Sequence, residues 1–238
     1  MLGTLKTEQR KHRIIGGPKC FLADYGGVML ADGYAGYNDV VAGNGITRAG
    51  CWAHLKRKFV DAEKAEPQFA REAVERVRSL YAIERQAKDA AADKRLALRR
   101  EQSASLVAGF RQQLLDSKGQ LLPNHPMAEA INYALGQWSE LTVFLADPAV
   151  PIDNNVSERE MKRIVLNRKN SLFVGSPRGD RTAAILSSLT STCRRHDIDP
   201  QFYCTQLLTN LPVTPTADLA QWMPDQWTLR QEALLDKL

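Results

Sequence analysis

Long apolar runs and closely spaced cysteines are both missing from this 238-residue chain. No apolar run approaches the roughly 18–20 residues that a helix needs to span a bilayer, so we expect no membrane partner. The first residues also lack the apolar core of a secretory signal. The four cysteines are too widely spaced for a disulfide framework. These absences indicate a cytoplasmic protein with reduced thiols.

Zinc-ligand pairs are equally scarce. Cys51 and His54 stand three residues apart, as two zinc ligands would, but a zinc site needs about four ligands. No second pair has such spacing, and the remaining cysteines and His196 stand alone. Whether Cys51 and His54 bind a metal or pack as an ordinary core pair stays open at this stage.

The composition is that of a globular protein, with 44% hydrophobic and 25% charged residues. This is enough apolar material for a real core. The net charge of +5 is compatible with a nucleic-acid partner without requiring one, because many basic proteins bind no nucleic acid.

Residues 27–31 form an apolar run that predicts a strand buried on both faces, and Asp32-Gly33 ends it. A second short strand is predicted at residues 46–49, followed by a helix that opens at Cys51. Several glycines predict that the segment after Asp32-Gly33 is loop-like. They are Gly36, Gly43, Gly45 and Gly50.

Residues 61–147 change character, being rich in Ala, Glu, Arg, Lys and Gln with apolar residues at helical spacing. We predict three helices that form an antiparallel bundle, the third beginning at Pro126.

After this helical segment, a further helix is predicted from Asn154 or Asn155, both good N-caps, and it carries Glu158 in its first turn. A short strand at residues 171–175, a long helix near residues 183–193 and a last helix from Asp199-Pro200 follow. The tail is predicted to be extended chain that its tryptophans pin in place.

Several segments, in this order, closely resemble a DDE-type transposase of the insertion-sequence-66 family, and the resemblance covers nearly the whole chain. The tryptophan-bearing tail adds to it. The segments are residues 30–37 (LADGYAGY), 50–59 (GCWAHLKRKF), 153–159 (DNNVSER), 168–173 (RKNSLF) and 199–200 (DP).

The resemblance implies an α/β fold with a ribonuclease-H-like core, truncated at its N-terminus and interrupted by an all-helical insertion. Residues 1–60 would be a partial core, 61–150 the insertion, 151–210 the remainder of the core, and 211–238 a C-terminal tail. Asp32 matches the family's second catalytic acid and Glu158 the third. The first acid precedes the matching segment, so we expect this chain alone to be inactive.

By resemblance, the activity is DNA transposition with Mg²⁺, or Mn²⁺ as a substitute, held by Asp32 and Glu158. Two such ions activate the attacking oxygen and stabilise the leaving one. Cys51, His54 and Asn155 would support the metal site without touching the metal. The partners would be transposon-end and target DNA, with further copies of the chain or other proteins of the same element. Predicted DNA contacts are Arg159, Arg163, Arg168 and Lys169.

Simpler interpretations of the same residues stay open. Asp32 is also a plain turn residue before Gly33, and Glu158 is also a first-turn acid favoured by the helix dipole. The basic cluster is also a solvated helix face with a Glu158–Lys162 pair. For the whole chain, the alternatives are a non-catalytic DNA-binding remnant and an oligomerising module.

Overall fold

A computed structural model describes residue 22, residues 25–171 and residues 175–227, with only the backbone at positions 167, 168 and 171. The chain divides into two compact units, Met1–Val156 and Ser157–Leu238, and each is described by itself. The described residues are mostly helical and include one two-stranded parallel sheet, an arrangement compatible with an α/β fold.

In the first unit the helices greatly outweigh the strands. Its strands and α-helices are β1 Val28–Ala31, α1 Asn38–Asn44, β2 Thr47–Gly50, α2 Trp52–Asp61, α3 Pro67–Gln86, α4 Ala92–Leu98, α5 Ala104–Ser117, α6 Pro126–Gly136 and α7 Trp138–Thr142. Short 3₁₀ turns occupy Ala35–Tyr37 and Val143–Leu145, and a π-helical turn occupies Arg99–Ser103.

The two predicted strands are confirmed and pair in parallel, with Val28 opposite Thr47 and Ala31 opposite Gly50. Parallel strands need a crossover connection, which here contains α1. The predicted loop between them is therefore wrong. Val40 buries its side chain on α1, and Gly45, at φ 63°, ends that helix in a left-handed C-cap. The strand was also predicted to be buried on both faces, but residues 28–30 are only half-buried.

One apolar core joins the sheet to the predicted helical segment. The indole of Trp52 is fully buried and lies edge-on to the rings of Trp138 and Phe144 at centroid distances of 6.2 and 6.1 Å. Ala49 of β2 belongs to this same core. The predicted helices are confirmed as α3, the nearly continuous α4–α5 pair and α6 with its extension α7. Their apolar stripes fold onto the strands as well as onto one another.

A buried arginine fastens the end of this helical segment. Arg99 is 0% exposed and pairs bidentately with Glu84, at 2.8 and 2.7 Å. Its guanidinium also donates to the carbonyls of Phe144, Asp147 and Val150 at 2.7, 2.8 and 3.1 Å. Every donor of the guanidinium fork thus has a partner, as a buried charge requires.

The second unit has a smaller core. Its α-helices are α8 Asn155–Ser171 (whose first two residues belong to the first unit), α9 Pro177–Arg195 and α10 Pro200–Asn210, followed by 3₁₀ turns at Leu211–Val213 and Thr216–Trp222. The core contains Cys193, Ile198, Tyr203, Trp222 and Trp227.

The predicted helices of this unit are confirmed, and both tail tryptophans are buried as expected. Their anchor is Tyr203, whose hydroxyl donates to the carbonyl of Trp222 at 2.5 Å and whose ring lies 5.8 Å from that of Trp227. Over residues 211–227, the described part of the tail, the chain is not extended, however, because it winds into 3₁₀ turns. The strand predicted at 171–175 falls mostly on residues 172–174, outside the described residues.

No helix in the described ranges combines the length and the apolar character needed to cross a membrane. The three described cysteines, Cys51, Cys193 and Cys204, are free thiols.

Candidate functional site

Asp32 directly follows β1 and is half-buried. Its Oδ1 accepts a hydrogen bond from the backbone N–H of Tyr34 at 3.2 Å. This contact, two residues along the chain, is the self-bonded turn that aspartate favours. Within the part of the chain that the structure describes, Oδ2 has no hydrogen-bond partner. The turn thus orients the carboxylate while leaving one oxygen for a ligand.

Arg48 of β2 holds the loop that carries Asp32. Its guanidinium donates to the backbone carbonyl of Asp32, to that of Tyr34 at 3.2 Å, and to Oδ1 of Asn38 at 2.9 Å. Three acceptors on one planar cation fix both the loop and the start of α1. Because Arg48 bonds the backbone carbonyl oxygen of Asp32, the carboxylate of Asp32 is not used in holding the loop.

The sheet register brings Cys51 to the same edge as Asp32. Ala31 lies opposite Gly50, so Asp32 and Cys51 are the next residues at the carboxyl ends of two adjacent parallel strands. A Cβ on Gly50 would lie 3.0 Å from the backbone nitrogen of Leu141. This edge of β2 is therefore in close contact with α7, which leaves little room for a larger residue.

Cys51 also contacts the chain that leads into α8. The backbone N–H of Asn154 hydrogen-bonds to its thiol, and the N–H of Trp52 donates to the carbonyl of Ile152 at 3.1 Å. Burial raises the pKa of the Cys51 thiol, against the opposing effect of the Asn154 N–H. Cys51 is therefore a buried thiol that is packed against the chain leading into α8.

Asp153 is the centre of a hydrogen-bonded cluster at the start of α8. Its Oδ1 accepts from the backbone N–H of Asn155 at 3.0 Å, and its Oδ2 accepts from Nδ2 of Asn155 at 2.7 Å. The hydroxyl of Tyr81 on α3 donates to Oδ2 at 2.6 Å. Burial and this bond to Asp153 raise the pKa of Tyr81, so its hydroxyl stays protonated and donating. The cluster fastens the entry of α8 to α3.

Glu158 lies in the first turn of α8 and is half-buried. Asp32 belongs to the first unit and Glu158 to the second. Asn155, predicted as a supporting residue, sits in the Asp153 cluster, and Cys51 touches the adjacent Asn154. His54 is half-buried on the first turn of α2. The structure thus gathers Cys51 and Asn155 around the approach to α8, and places Asp32 beside Cys51 along the sheet edge.

The predicted DNA-contacting side chains lie along α8. Arg159, Arg163 and Lys169 are exposed, whereas the side chain of Arg168 lies outside the described residues. Arg163 pairs with Glu160 of its own helix at 3.3 Å, with half of the arginine side chain still exposed. Glu160 also accepts a hydrogen bond from the hydroxyl of Ser191 on α9. That bond is the main reason why its pKa is lowered, with the charge of Arg163 contributing.

Three residues that position this site were missed from the sequence. Arg48 and Tyr81 lie far along the chain from their partners, and Asp153 was noted only as part of a motif. A weak signal existed for Asp153, because an aspartate two residues before a helix start commonly bonds the backbone there. No local pattern marks Arg48 or Tyr81.

The donor groups present bear on metal ligation. The described ranges contain no group of three or more His, Cys, Asp or Glu side chains that could share an ion. Among the described residues at the sheet edge, Asp32 supplies a carboxylate and Cys51 a buried thiol.

Comparison with known proteins identifies the family. Residues 7–182 match the model described as Transposase IS66 family. This match covers more than half of the chain, so the chain belongs to the IS66 transposase family.

Curated relatives come from Sinorhizobium fredii (strain NBRC 101917 / NGR234). The chain is 34% identical over 220 residues to the uncharacterized protein y4jD, covering 88% of this chain and 43% of y4jD. It is 32% identical over 227 residues to the uncharacterized protein y4hP, covering 88% of this chain and 41% of y4hP. The chain thus spans about two fifths of the length of these relatives. No solved structure matches it.

Proposed function

We propose that this chain carries two of the three catalytic acids of a DDE-type transposase with a ribonuclease-H-like core. The reaction would be cleavage at the ends of the mobile element and transfer of the 3′-hydroxyl into target DNA. The observation that supports this most is the position of Asp32, oriented at the carboxyl end of a parallel strand in a chain of the IS66 family. Functional side chains commonly collect at this end of parallel strands.

The donor chemistry at Asp32 suits Mg²⁺, because this ion prefers carboxylate oxygens and completes its shell with water and substrate phosphates. Asp32 and Glu158 would hold it, with Mn²⁺ as a substitute. When bound, the ion would lower the pKa of the attacking oxygen and neutralise charge on the phosphate.

The remaining residues have positioning roles in this proposal. Tyr34 and Arg48 keep Asp32 and its loop in place. Asp153, with Cys51 and Asn155 around it, fixes the chain just before Glu158. His54 would support the same region. The cations along α8 would bind phosphates of the element ends and make binding depend strongly on salt.

Catalysis by this chain alone is not expected, because the family resemblance assigns only its second and third acids to this sequence. The boundaries 1–60, 61–150, 151–210 and 211–238 stay a prediction, as does assembly with further copies or other proteins of the element.

A cleavage and strand-transfer assay on labelled element-end DNA, in Mg²⁺ or Mn²⁺, tests the proposal. The 238-residue chain would be compared with a version extended by the upstream sequence of its gene. We expect activity only in the extended version, and its loss in Asp32→Ala and Glu158→Ala. Asp39→Ala, which removes an exposed carboxylate from nearby α1, is the matched control and should retain activity.

Cleavage by the extended version that survives both Asp32→Ala and Glu158→Ala would overturn the catalytic assignment. Cleavage by the 238-residue chain, lost in Glu158→Ala, would overturn only the expected inactivity. DNA binding without cleavage in either version would favour the alternative of a non-catalytic DNA-binding remnant. The exposed cations of α8 would be sufficient for such binding.

A further inference from the structure

A positively charged groove lies between α2 and α3, within the first unit. Its volume is about 900 Å³. Four cations line it, Lys56 and Arg57 from α2 and Arg78 and Arg85 from α3, against the single carboxylate of Glu75. None of these residues was assigned to a site above, and α8 contributes only Asn155 to the lining.

The cations of this groove are available to a ligand. The side chains of Arg57 and Arg85 are exposed and make no ion pair or hydrogen bond with the described part of the chain. The ammonium of Lys56 lies 5.9 Å from the ring centroid of Tyr81. Arg78 pairs with Glu75 at 3.2 Å, but both side chains are about two-thirds exposed. An ion pair this exposed contributes little and exchanges easily for another anion.

The cations are spaced for a chain of anions. Arg78 and Arg85 are seven residues apart on one helix, which is about 10.5 Å along its axis. A nucleic-acid strand carries one phosphate per roughly 3.4 Å of helix axis, so this distance spans about three phosphates. Arg57 stands on the opposite wall of the groove. The cations on the two walls are therefore spaced to contact successive phosphates of a nucleic-acid strand, and are too far apart to surround one small anion.

We propose that the α2–α3 groove binds the phosphate backbone of a nucleic-acid strand through residues other than Asp32 and Glu158. This inference deepens the proposed function and rests on it for the choice of DNA as the partner. Guanidinium groups match phosphate geometry through paired N–H donors.

An acidic protein segment is the competing occupant. Tight protein interfaces depend on large apolar or aromatic anchors that fill pockets. The apolar lining here consists of Ala53, Val60 and Ala82. Tyr81 also lines the groove, but its hydroxyl is hydrogen-bonded to Asp153, which holds the ring in place. The groove thus offers charge and small side chains without an anchor pocket, which favours a phosphate backbone.

The test is DNA binding by the full chain in EDTA, measured by fluorescence anisotropy with a labelled mixed-sequence duplex across a range of salt concentrations. The double variant Arg57→Gln/Arg85→Gln should weaken binding about tenfold and reduce the salt slope by about two, because two phosphate contacts are lost. The control Arg100→Gln/Arg111→Gln removes two exposed arginines that do not line the groove and should bind like the unaltered chain. Circular dichroism would confirm that both variants fold.

Equal affinity and salt slope in the two double variants, or no DNA binding by the unaltered chain, would overturn the inference. Displacement of the DNA by poly-glutamate at lower concentration than by unlabelled duplex would also overturn it, in favour of an acidic protein partner. Since EDTA removes the catalytic ions, this result is independent of cleavage. If the groove variant loses DNA binding but neither the chain nor its extended version cleaves DNA, the result would count against the catalytic proposal and leave the groove proposal intact.

Discussion

Apolar side chains are packed out of solvent around Trp52 in the first unit, whereas α8 in the second unit leaves Ile164, Val165 and Leu166 each nearly half exposed. Leu55 and Phe59, on the helix that carries Trp52, are fully buried. Burial of a leucine-sized side chain is worth about 1.5–3 kcal/mol, so the two units draw very unequal stabilisation from similar residues.

This difference bears on the candidate site. The entry of α8 is fastened by directed contacts, the Asp153 cluster and the bond between Trp52 and Ile152. The body of the helix, which carries the predicted DNA contacts, depends on its own backbone and on contacts such as that of Glu160 with Ser191. Regions with few buried apolar contacts open locally at low cost. We therefore expect the first unit to be the more stable of the two.

The largest expected effect comes from breaking the buried ion pair of the first unit. Arg99→Leu should destabilise it by about 3–5 kcal/mol, because Glu84 and three carbonyls lose their donor inside the fold. Urea denaturation followed by circular dichroism measures this. The neighbouring Arg100→Leu, at an exposed position, should stay within about 0.5 kcal/mol of the unaltered chain. A loss below about 1 kcal/mol for Arg99→Leu would contradict the buried pairing.

A matched pair of aliphatic truncations sharpens the comparison. Leu55→Ala, at a fully buried position, should cost about 2–5 kcal/mol. Ile164→Ala, at a position 49% exposed, should cost no more than about 0.5 kcal/mol. The same denaturation experiment reports both values. Equal costs would mean that the apolar face of α8 is covered in solution, and the contrast between the units would then fail.

The smallest effect is a pH dependence confined to the second unit. The pKa of Glu160 is lowered mainly by the Ser191 hydroxyl, so the folded state favours the ionised carboxylate. The stabilisation is therefore present above the ordinary pKa of glutamate, about 4.3, and is lost as the pH falls through the lowered value.

Hydrogen exchange of α8 and α9, measured between neutral and acidic pH, checks this dependence. Ser191→Ala should weaken the protection of these helices near neutral pH and flatten its decline with acid. Ser188→Ala removes an exposed hydroxyl from the same helix and should leave the profile unchanged. An identical profile in all three proteins would rule out the Glu160–Ser191 contact as its cause.

Most of the helices could be predicted because their signals are local. Asp199 was recognised as an N-cap, and its carboxylate does accept from the backbone N–H groups of Gln201 and Phe202 at 2.7 and 2.9 Å. Pro126 begins α6 as expected. The error at α1 has a local cause too, since glycines outweighed Val40, the residue that gives this short helix its buried side.

The sequence by itself determined the helical segments, the strand that ends at Asp32, the helix that presents Glu158 and the resemblance that placed the chain in its family. Only the tertiary structure decided which polar groups hold these helices and strands in place. Arg99 reads as one more charge in a polar stretch, yet its partners lie 15 to 51 residues away. Tyr81 meets Asp153 across 72 residues. Local patterns cannot specify such pairs, because the chain must fold before a buried charge or hydroxyl meets the group that satisfies it.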